Sequence, residues 1–201
     1  MTWAVPLAAL ALSGCAPAIL VGSGATLTRS VVQERPVLAG LNDLETELSI
    51  ATRMSQHSGE LYRDVAVDVV EGRVVLTGSV PRREDRITAE RIAWKPEGVV
   101  SVDNAITVAE DSGTRAYLQD ARISNVLRFK LLRDTSVASV NLSVETVDRT
   151  VHLTGLARSP AEMERAIAHA RQVEGVKRVV SHVLLIDDPR RIAARPGNPP
   201  V

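Results

Sequence analysis

The chain has 201 residues, and its 24 basic side chains balance its 24 acidic ones at pH 7. A neutral chain lacks the basic excess with which proteins hold nucleic acid, so we expect no nucleic-acid partner. The single cysteine, Cys15, excludes an internal disulfide bond and a multi-cysteine metal site. Its role must follow from its position near the start of the chain.

The residues before Cys15 are typical of a bacterial export signal. Residues 4–12 form an apolar run that is too short to span a bilayer, and residues 12–15 read Leu-Ser-Gly-Cys. These four residues resemble the bacterial lipobox, whose cysteine receives a diacylglycerol. We therefore expect a lipoprotein signal peptide over residues 1–14 and an acylated flexible tether over residues 15–40. Ala16 favours sorting to the outer membrane, with the protein facing the periplasm.

The rest of the chain contains an internal duplication. Residues 74–78 (VVLTG) align with residues 151–155 (VHLTG), and Val151 lies 77 positions after Val74. The same offset superimposes two Glu-Gly-Val segments, residues 97–99 and 174–176. It also superimposes two pairs of spaced alanines, namely Ala89 and Ala93 with Ala166 and Ala170.

The sequence pattern of each copy predicts a helix, a β-hairpin, a second helix and a final strand. The first helices run from Asp43 to about Gln56 and from Asp120 to about Arg133, with each aspartate as the N-cap. The hairpin strands span 65–70 with 73–77 and 142–147 with 150–154, around turns at 71–72 and 148–149. The second helices follow Pro81 and Ser159, and the final strands span 99–108 and 176–186.

This order predicts an α/β (α+β) sandwich made of two tandem αββαβ modules, each a three-stranded sheet covered by two helices. We place the modules at residues 41–110 and 117–187, and we expect the proline-rich tail 188–201 to be disordered. Period-two alternation puts Asp68 and Glu145 on the solvent-facing side of the strands. His152 and His182 are expected on the outer side of their sheet.

Three features of both copies resemble BON domains: the strand ending in Leu-Thr-Gly, the helix with spaced alanines, and Glu-Gly-Val before a valine-rich strand. Together with the lipobox, they make the chain similar to dual BON-domain lipoproteins of the Gram-negative outer membrane. That resemblance implies binding to anionic phospholipid, envelope integrity and osmotic stress tolerance. None of these functions follows from residue spacing.

The sequence offers no catalytic, metal or cofactor site. The four histidines lack the spacing of a zinc site, and no nucleophile or carboxylate pair is placed for catalysis. We therefore predict a protein that is not an enzyme and has no cofactor.

One stripe of residues on the first helix of the second copy is not needed for the core and indicates a binding surface. Arg122, Val126, Phe129 and Arg133 recur at helical spacing on the side opposite Ile123, Leu127 and Leu131. An aromatic residue between arginines suits an anionic phospholipid surface. The alternative is that Phe129 and Val126 pack against the first module or the tether.

The leading hypothesis is a membrane-anchored envelope lipoprotein that binds anionic phospholipid through Arg122, Val126, Phe129 and Arg133 and supports outer-membrane integrity. The alternative is a module of an envelope assembly machine that binds proteins without lipid preference.

Overall fold

A computed structural model describes residues 37–109 and 113–193. In chain order its elements are α1 (Val37–His57), α2 (Gly59–Asp64), β1 (Val65–Val70), β2 (Arg73–Val80), α3 (Arg83–Ala93), β3 (Ser101–Asn104), β4 (Thr107–Val108), α4 (Gly113–Arg133), β5 (Leu142–Val147), β6 (Thr150–Ala157), α5 (Pro160–Arg171), β7 (Arg178–Leu185) and α6 (Pro189–Ala193). A short 3-10 turn, Ser139–Asn141, precedes β5. The predicted α/β class with two tandem modules is confirmed.

The first module is a sheet with helices on one face. β1 and β2 form an antiparallel hairpin, and β3 and β4 both pair parallel to β2. The predicted strand 99–108 is interrupted, because the side-chain oxygen of Asn104 accepts a hydrogen bond from the backbone N–H of Ile106 at 3.3 Å. The core beneath α1 and α3 includes Ile50, Met54, Leu76, Ala89 and Ala93.

The second module repeats this arrangement with β5, β6 and β7. α4 and α5 cover the sheet, and their core includes Ile123, Leu127, Leu131, Leu153 and Val183. The four spaced alanines at positions 89, 93, 166 and 170 are at most 1 % exposed. Their small side chains let α3 and α5 lie close to the sheets.

An aspartate in the first helix of each module holds the hairpin turn. Asp43 accepts hydrogen bonds from the backbone N–H groups of residues 71 and 72 at 2.8 and 2.9 Å. Asp120 accepts them from residues 148 and 149, both at 2.8 Å. All four turn residues have positive φ, between 44° and 73°, as a tight primed turn requires. The prediction that these aspartates are N-caps is wrong, because α1 and α4 both begin well before them.

The glycine of each Leu-Thr-Gly motif is a point of close backbone contact. Gly78 and Gly155 have φ values of 133° and 136°. A Cβ atom at either position would collide with the carbonyl oxygen of the residue that precedes the first strand, Asp64 or Asn141. The motif therefore lets the two hairpin strands approach where the first strand begins.

The two modules pack through the sheet faces that point away from their own helices. Val70 of the first module forms a buried cluster with Leu156 and Leu184 of the second. Thr77 and Thr154, on the same outer faces, are 0 % and 2 % exposed. The molecule therefore has four layers, in the order helices, sheet, sheet, helices.

This packing corrects the expected solvent-facing side of the strands. Burial raises the pKa of Glu145, and the nearby carboxylate of Asp68 raises it further. Both residues lie at the interface between modules, because each sheet covers the outer face of the other. His152 and His182 do lie on the outer side of their sheet, but His152 is only 7 % exposed.

The ends of the described chain are more ordered than the sequence predicts. α1 begins at Val37, inside the predicted tether 15–40, and tolerates Gly40, which costs a helix only about 1 kcal/mol. The tail prediction 188–201 is wrong for residues 189–193, which form α6. Asp188 accepts a hydrogen bond from the backbone N–H of Arg190 at 2.9 Å, which begins this helix.

α6 attaches the end of the second module to the first. Arg191 is 5 % exposed, and its guanidinium lies 2.6 and 2.7 Å from the two carboxylate oxygens of Glu71 in the first hairpin turn. A bidentate pair of this kind fixes both distance and orientation.

Candidate functional site

Helix α4 of the second module has one buried and one exposed face. Ile123, Leu127 and Leu131 are at most 2 % exposed and pack into the core. The opposite face carries the predicted residues, which we call the basic–aromatic stripe: Arg122, Val126, Phe129 and Arg133.

The basic–aromatic stripe remains at the surface. Phe129 is 58 % exposed and Val126 is 38 % exposed, so the first module does not cover them. The guanidinium of Arg133 lies 5.4 Å from the centre of the Phe129 ring, within cation–π range. Arg122 lies 3.6 Å from Glu174, but both side chains are largely exposed and such pairs are weak.

A shallow groove lies beside the stripe, between α4 and the end of α5. Its volume is about 690 Å³, and it joins Val126, Phe129 and Arg133 with Asn125, Lys130, His169 and Gln172. The groove thus combines apolar contact area with amide donors and two cationic side chains. This chemistry suits an anionic headgroup with an apolar chain attached.

The carboxylates near this groove are already paired. His169 Nε2 lies 2.7 Å from Asp134 Oδ2, and this hydrogen bond lowers the pKa of Asp134. Arg165 lies 3.9 Å from the same oxygen. Lys130 and Arg133 have no carboxylate partner within the described residues, and they give the groove a positive character.

The exposed face of α4 is longer than the predicted stripe. Leu118 is 61 % exposed and lies three helical turns before Phe129 on the same face. Leu118 lies outside the predicted helix, which starts at Asp120, whereas α4 begins at Gly113. Lys130 was also missed, since it belongs to the groove and not to the stripe.

The first module presents different chemistry at the equivalent helix. Leu41, Leu44 and Leu48 are 56 %, 50 % and 58 % exposed on α1. Glu45 stands at the position of Arg122, and Thr52 stands at the position of Phe129. This aliphatic and acidic face shares the exposure of the α4 face but not its positive charge.

Cys15, the predicted lipidation site, lies outside the described residues, as does the predicted signal peptide. Within residues 37–109 and 113–193, no helix is long and apolar enough to cross a membrane. The same part of the chain contains no group of three or more His, Cys, Asp or Glu side chains that could hold a metal ion.

A family model for the BON domain matches residues 42–110 and 119–186 of this chain. The two matches cover most of the chain and correspond to the two modules of the fold. The prediction of two BON domains is confirmed.

Several known proteins are similar over most of their length. The chain is 35 % identical over 146 residues to an uncharacterised protein in the gshII 5′ region of Anaplasma centrale, covering 72 % of this chain and 95 % of that one. It is 30 % identical over 141 residues to osmotically-inducible protein Y of Escherichia coli strain K12, covering 69 % and 70 %. It is 25 % identical over 182 residues to the outer membrane lipoprotein DolP of Haemophilus influenzae, covering 90 % and 93 %.

Proposed function

Because the chain belongs to the BON-domain family and carries two copies of the domain, we propose that it is an envelope lipoprotein that docks on anionic phospholipid through its second module. The observation that carries this proposal is Phe129, which is 58 % exposed on a helix face with cationic neighbours. Relatives named as osmotically inducible and as an outer membrane lipoprotein support a role in outer-membrane integrity or stress tolerance.

The stripe and groove have the chemistry of a helix that lies on a membrane surface. Each basic residue close to an anionic leaflet contributes about 1 kcal/mol, so Arg122, Lys130 and Arg133 together contribute about 3 kcal/mol. Insertion of the exposed part of Phe129 adds about 1 to 2 kcal/mol. A total of about 4 to 5 kcal/mol corresponds to a dissociation constant near 1 mM or somewhat below it.

Such weak docking is useful when the protein is already held at the membrane. Acylation of Cys15 would keep the modules within reach of the bilayer, where effective concentrations are of millimolar order. We place the anchor in the outer membrane facing the periplasm. Ala16 and the name of the Haemophilus relative support this location.

A second candidate function rests on the first module. The exposed leucines Leu41, Leu44 and Leu48 lie beside Glu45, whose charge disfavours an anionic membrane. α1 and α4 occupy opposite outer layers, so this face points away from a membrane that α4 contacts. An envelope protein with an apolar groove and a basic rim would fit it, by the mode in which an amphipathic helix binds a groove.

Co-sedimentation with vesicles tests the lipid proposal. At millimolar accessible lipid, which matches the expected dissociation constant, residues 16–201 are expected to sediment with vesicles of anionic phospholipid and not with zwitterionic ones, and more strongly at low salt. Phe129→Ala should weaken binding about tenfold, and Arg133→Glu somewhat more. Absence of binding by the unaltered chain, or equal binding to both vesicle types, would refute the proposal.

Matched controls come from the duplicated helix. Leu48→Ala removes an equally exposed apolar side chain from α1, since Leu48 and Phe129 are both 58 % exposed. Gln56→Glu adds a negative charge at the position equivalent to Arg133. Both variants should sediment like the unaltered chain. If they weaken binding as much as the α4 variants do, contact through the second module alone is wrong.

The protein-binding candidate needs a functional readout. Leu44→Glu places a charge in the centre of the α1 leucines without touching α4. We expect it to leave vesicle binding unchanged. Full osmotic tolerance of cells that carry Leu44→Glu would argue against a partner at α1.

A further inference from the structure

We infer that the interface between the two modules is an acid-sensitive joint, which opens when His152 becomes charged beside His182. This inference does not depend on lipid binding, since the groups involved lie between the sheets and not on the exposed face of α4. It rests on the mixed apolar and polar character of the interface and on a histidine pair within it.

The joint combines apolar and polar contacts. Its buried apolar residues include Val70, Leu156 and Leu184. The neighbouring positions Thr77 and Thr154 are polar, although they are at most 2 % exposed. Inter-domain contacts of this composition resemble transient interfaces, whose balance responds to small changes in charge.

Two imidazoles lie within this interface. His152 Nδ1 and His182 Nε2 are 3.3 Å apart, and the rings are stacked with centroids 5.6 Å apart and planes 9° from parallel. His182 Nδ1 lies 2.7 Å from Asp103 Oδ2, so this contact crosses from the second module to the first. The His182 side chain is 10 % exposed and His152 is 7 % exposed.

The surrounding charges compensate one imidazolium but not two. On β3, Asp103 offers one negative charge to the pair, and it is already in contact with His182. On β7, Arg178 adds positive charge near His152. On β5, Glu145 lies opposite His152 in the strand register, but Arg128 of α4 lies 3.5 Å from its carboxylate.

The pKa of His152 falls from 6.5 to about 4, mainly because the ring is buried and in smaller part because His182 and Arg178 are near it. A histidine whose pKa is lowered in the closed form stabilises that form at neutral pH. The stabilisation is lost as the pH falls from 6.5 towards 4, because the open form binds the proton more tightly. Lowering the pH from 7 to 5 therefore raises the ratio of open to closed molecules about 20-fold.

Glu145 acts in the opposite direction. Burial raises its pKa, and Asp68 across the interface raises it further, so protonation of Glu145 favours the closed form. The comparison between the unaltered chain and His152→Gln, which both keep Glu145, therefore isolates the histidine contribution.

Opening would be a hinge motion and not a separation. The chain is continuous between the modules, and α6 holds the first hairpin turn through the pair between Arg191 and Glu71. Neither member of this pair belongs to the histidine cluster. Opening exposes the outer faces of β2 and β6 while each module keeps its own core.

A thiol at Thr77 measures this opening directly. Thr77 is 0 % exposed on the outer face of β2, and Thr77→Cys replaces its hydroxyl by a thiol and removes one methyl group. Both variants carry Cys15→Ser, so that each has a single thiol. The rate at which dithiodipyridine labels the thiol of Thr77→Cys is measured at each pH, since this reagent also reacts at acid pH. It is divided by the labelling rate of an exposed thiol introduced by Thr52→Cys. We expect this ratio to rise about 20-fold from pH 7 to pH 5. With His152→Gln added, it should rise less than twofold.

Two further readouts keep the result decisive. Far-UV circular dichroism should stay constant between pH 7 and 5, since the modules open without unfolding. The ring protons of His152, followed by NMR in the unaltered chain, should titrate well below pH 6.5. The joint is refuted if the labelling ratio is unchanged, if His152→Gln opens equally, if secondary structure is lost in parallel, or if His152 titrates near pH 6.5.

Discussion

Replacing Asp120 with alanine removes both hydrogen bonds that hold the turn of the second hairpin. Each carboxylate oxygen lies 2.8 Å from one of the two backbone nitrogens; the bond from residue 149 is partly buried and the bond from residue 148 is exposed. A hydrogen bond to a charged group contributes about 1.5 to 3 kcal/mol, and water replaces part of this when the carboxylate is lost. We therefore expect Asp120→Ala to lower the free energy of unfolding by about 2 to 4 kcal/mol.

Urea unfolding of residues 16–201, followed by circular dichroism, gives this quantity. Asp43→Ala should cost a similar amount, because Asp43 makes the same contacts in the first module. Asp120→Asn keeps one acceptor oxygen and should cost about half as much. Asn42→Ala, at an exposed neighbouring position, should change stability by less than about 0.5 kcal/mol. If both aspartate variants lowered the free energy of unfolding by less than that value, the two turns would not depend on these hydrogen bonds.

Three other substitutions follow from the fold. Gly155→Ala should lower the melting temperature strongly or prevent folding, because its Cβ would meet a backbone carbonyl, whereas Gly40→Ala has open space and should stabilise α1 by about 1 kcal/mol. Arg149→Gly should raise the free energy of unfolding by about 0.5 to 1 kcal/mol, and with it the urea midpoint, since Arg149 has a φ of 61°; a lower midpoint would contradict this. Arg191→Met leaves Glu71 without this partner and should cost roughly 3 kcal/mol by calorimetry; an unchanged melting curve would argue against α6 as a link between modules.

The order of helices and strands in each module could be predicted because every sequence pattern occurs in both copies of the duplication. The 77-residue offset, the period-two strands and the spaced alanines all carry the same information in both copies. The clamp at Asp43 and Asp120 could not be distinguished from an N-cap, since both roles place an aspartate near an apolar helical pattern. Only the position of the turn in space decides between them.

The interface between the modules could not be predicted from the sequence, because it contains charged residues. Asp68 and Glu145 alternate with valines, which is typical of a sheet with one face in water. Each sheet instead covers the other, and nothing in a strand pattern shows which second surface lies on its outer side. Helical periodicity predicts the stripe on α4 but not Leu118, because nothing in the sequence before Asp120 marks the true start of the helix at Gly113.

The four-layer order sets a minimum length for the connection to the membrane. Helix and sheet layers of about 10 Å each make the body about 40 Å thick, with α1 and α4 on opposite outer layers. If α4 rests on the bilayer, the segment 16–36 must span the full thickness of the protein to reach Val37. Fully extended, this segment spans about 70 Å, which exceeds that thickness. A linker cut to fewer than about 12 residues would no longer reach, so acyl anchoring and contact through α4 would exclude each other.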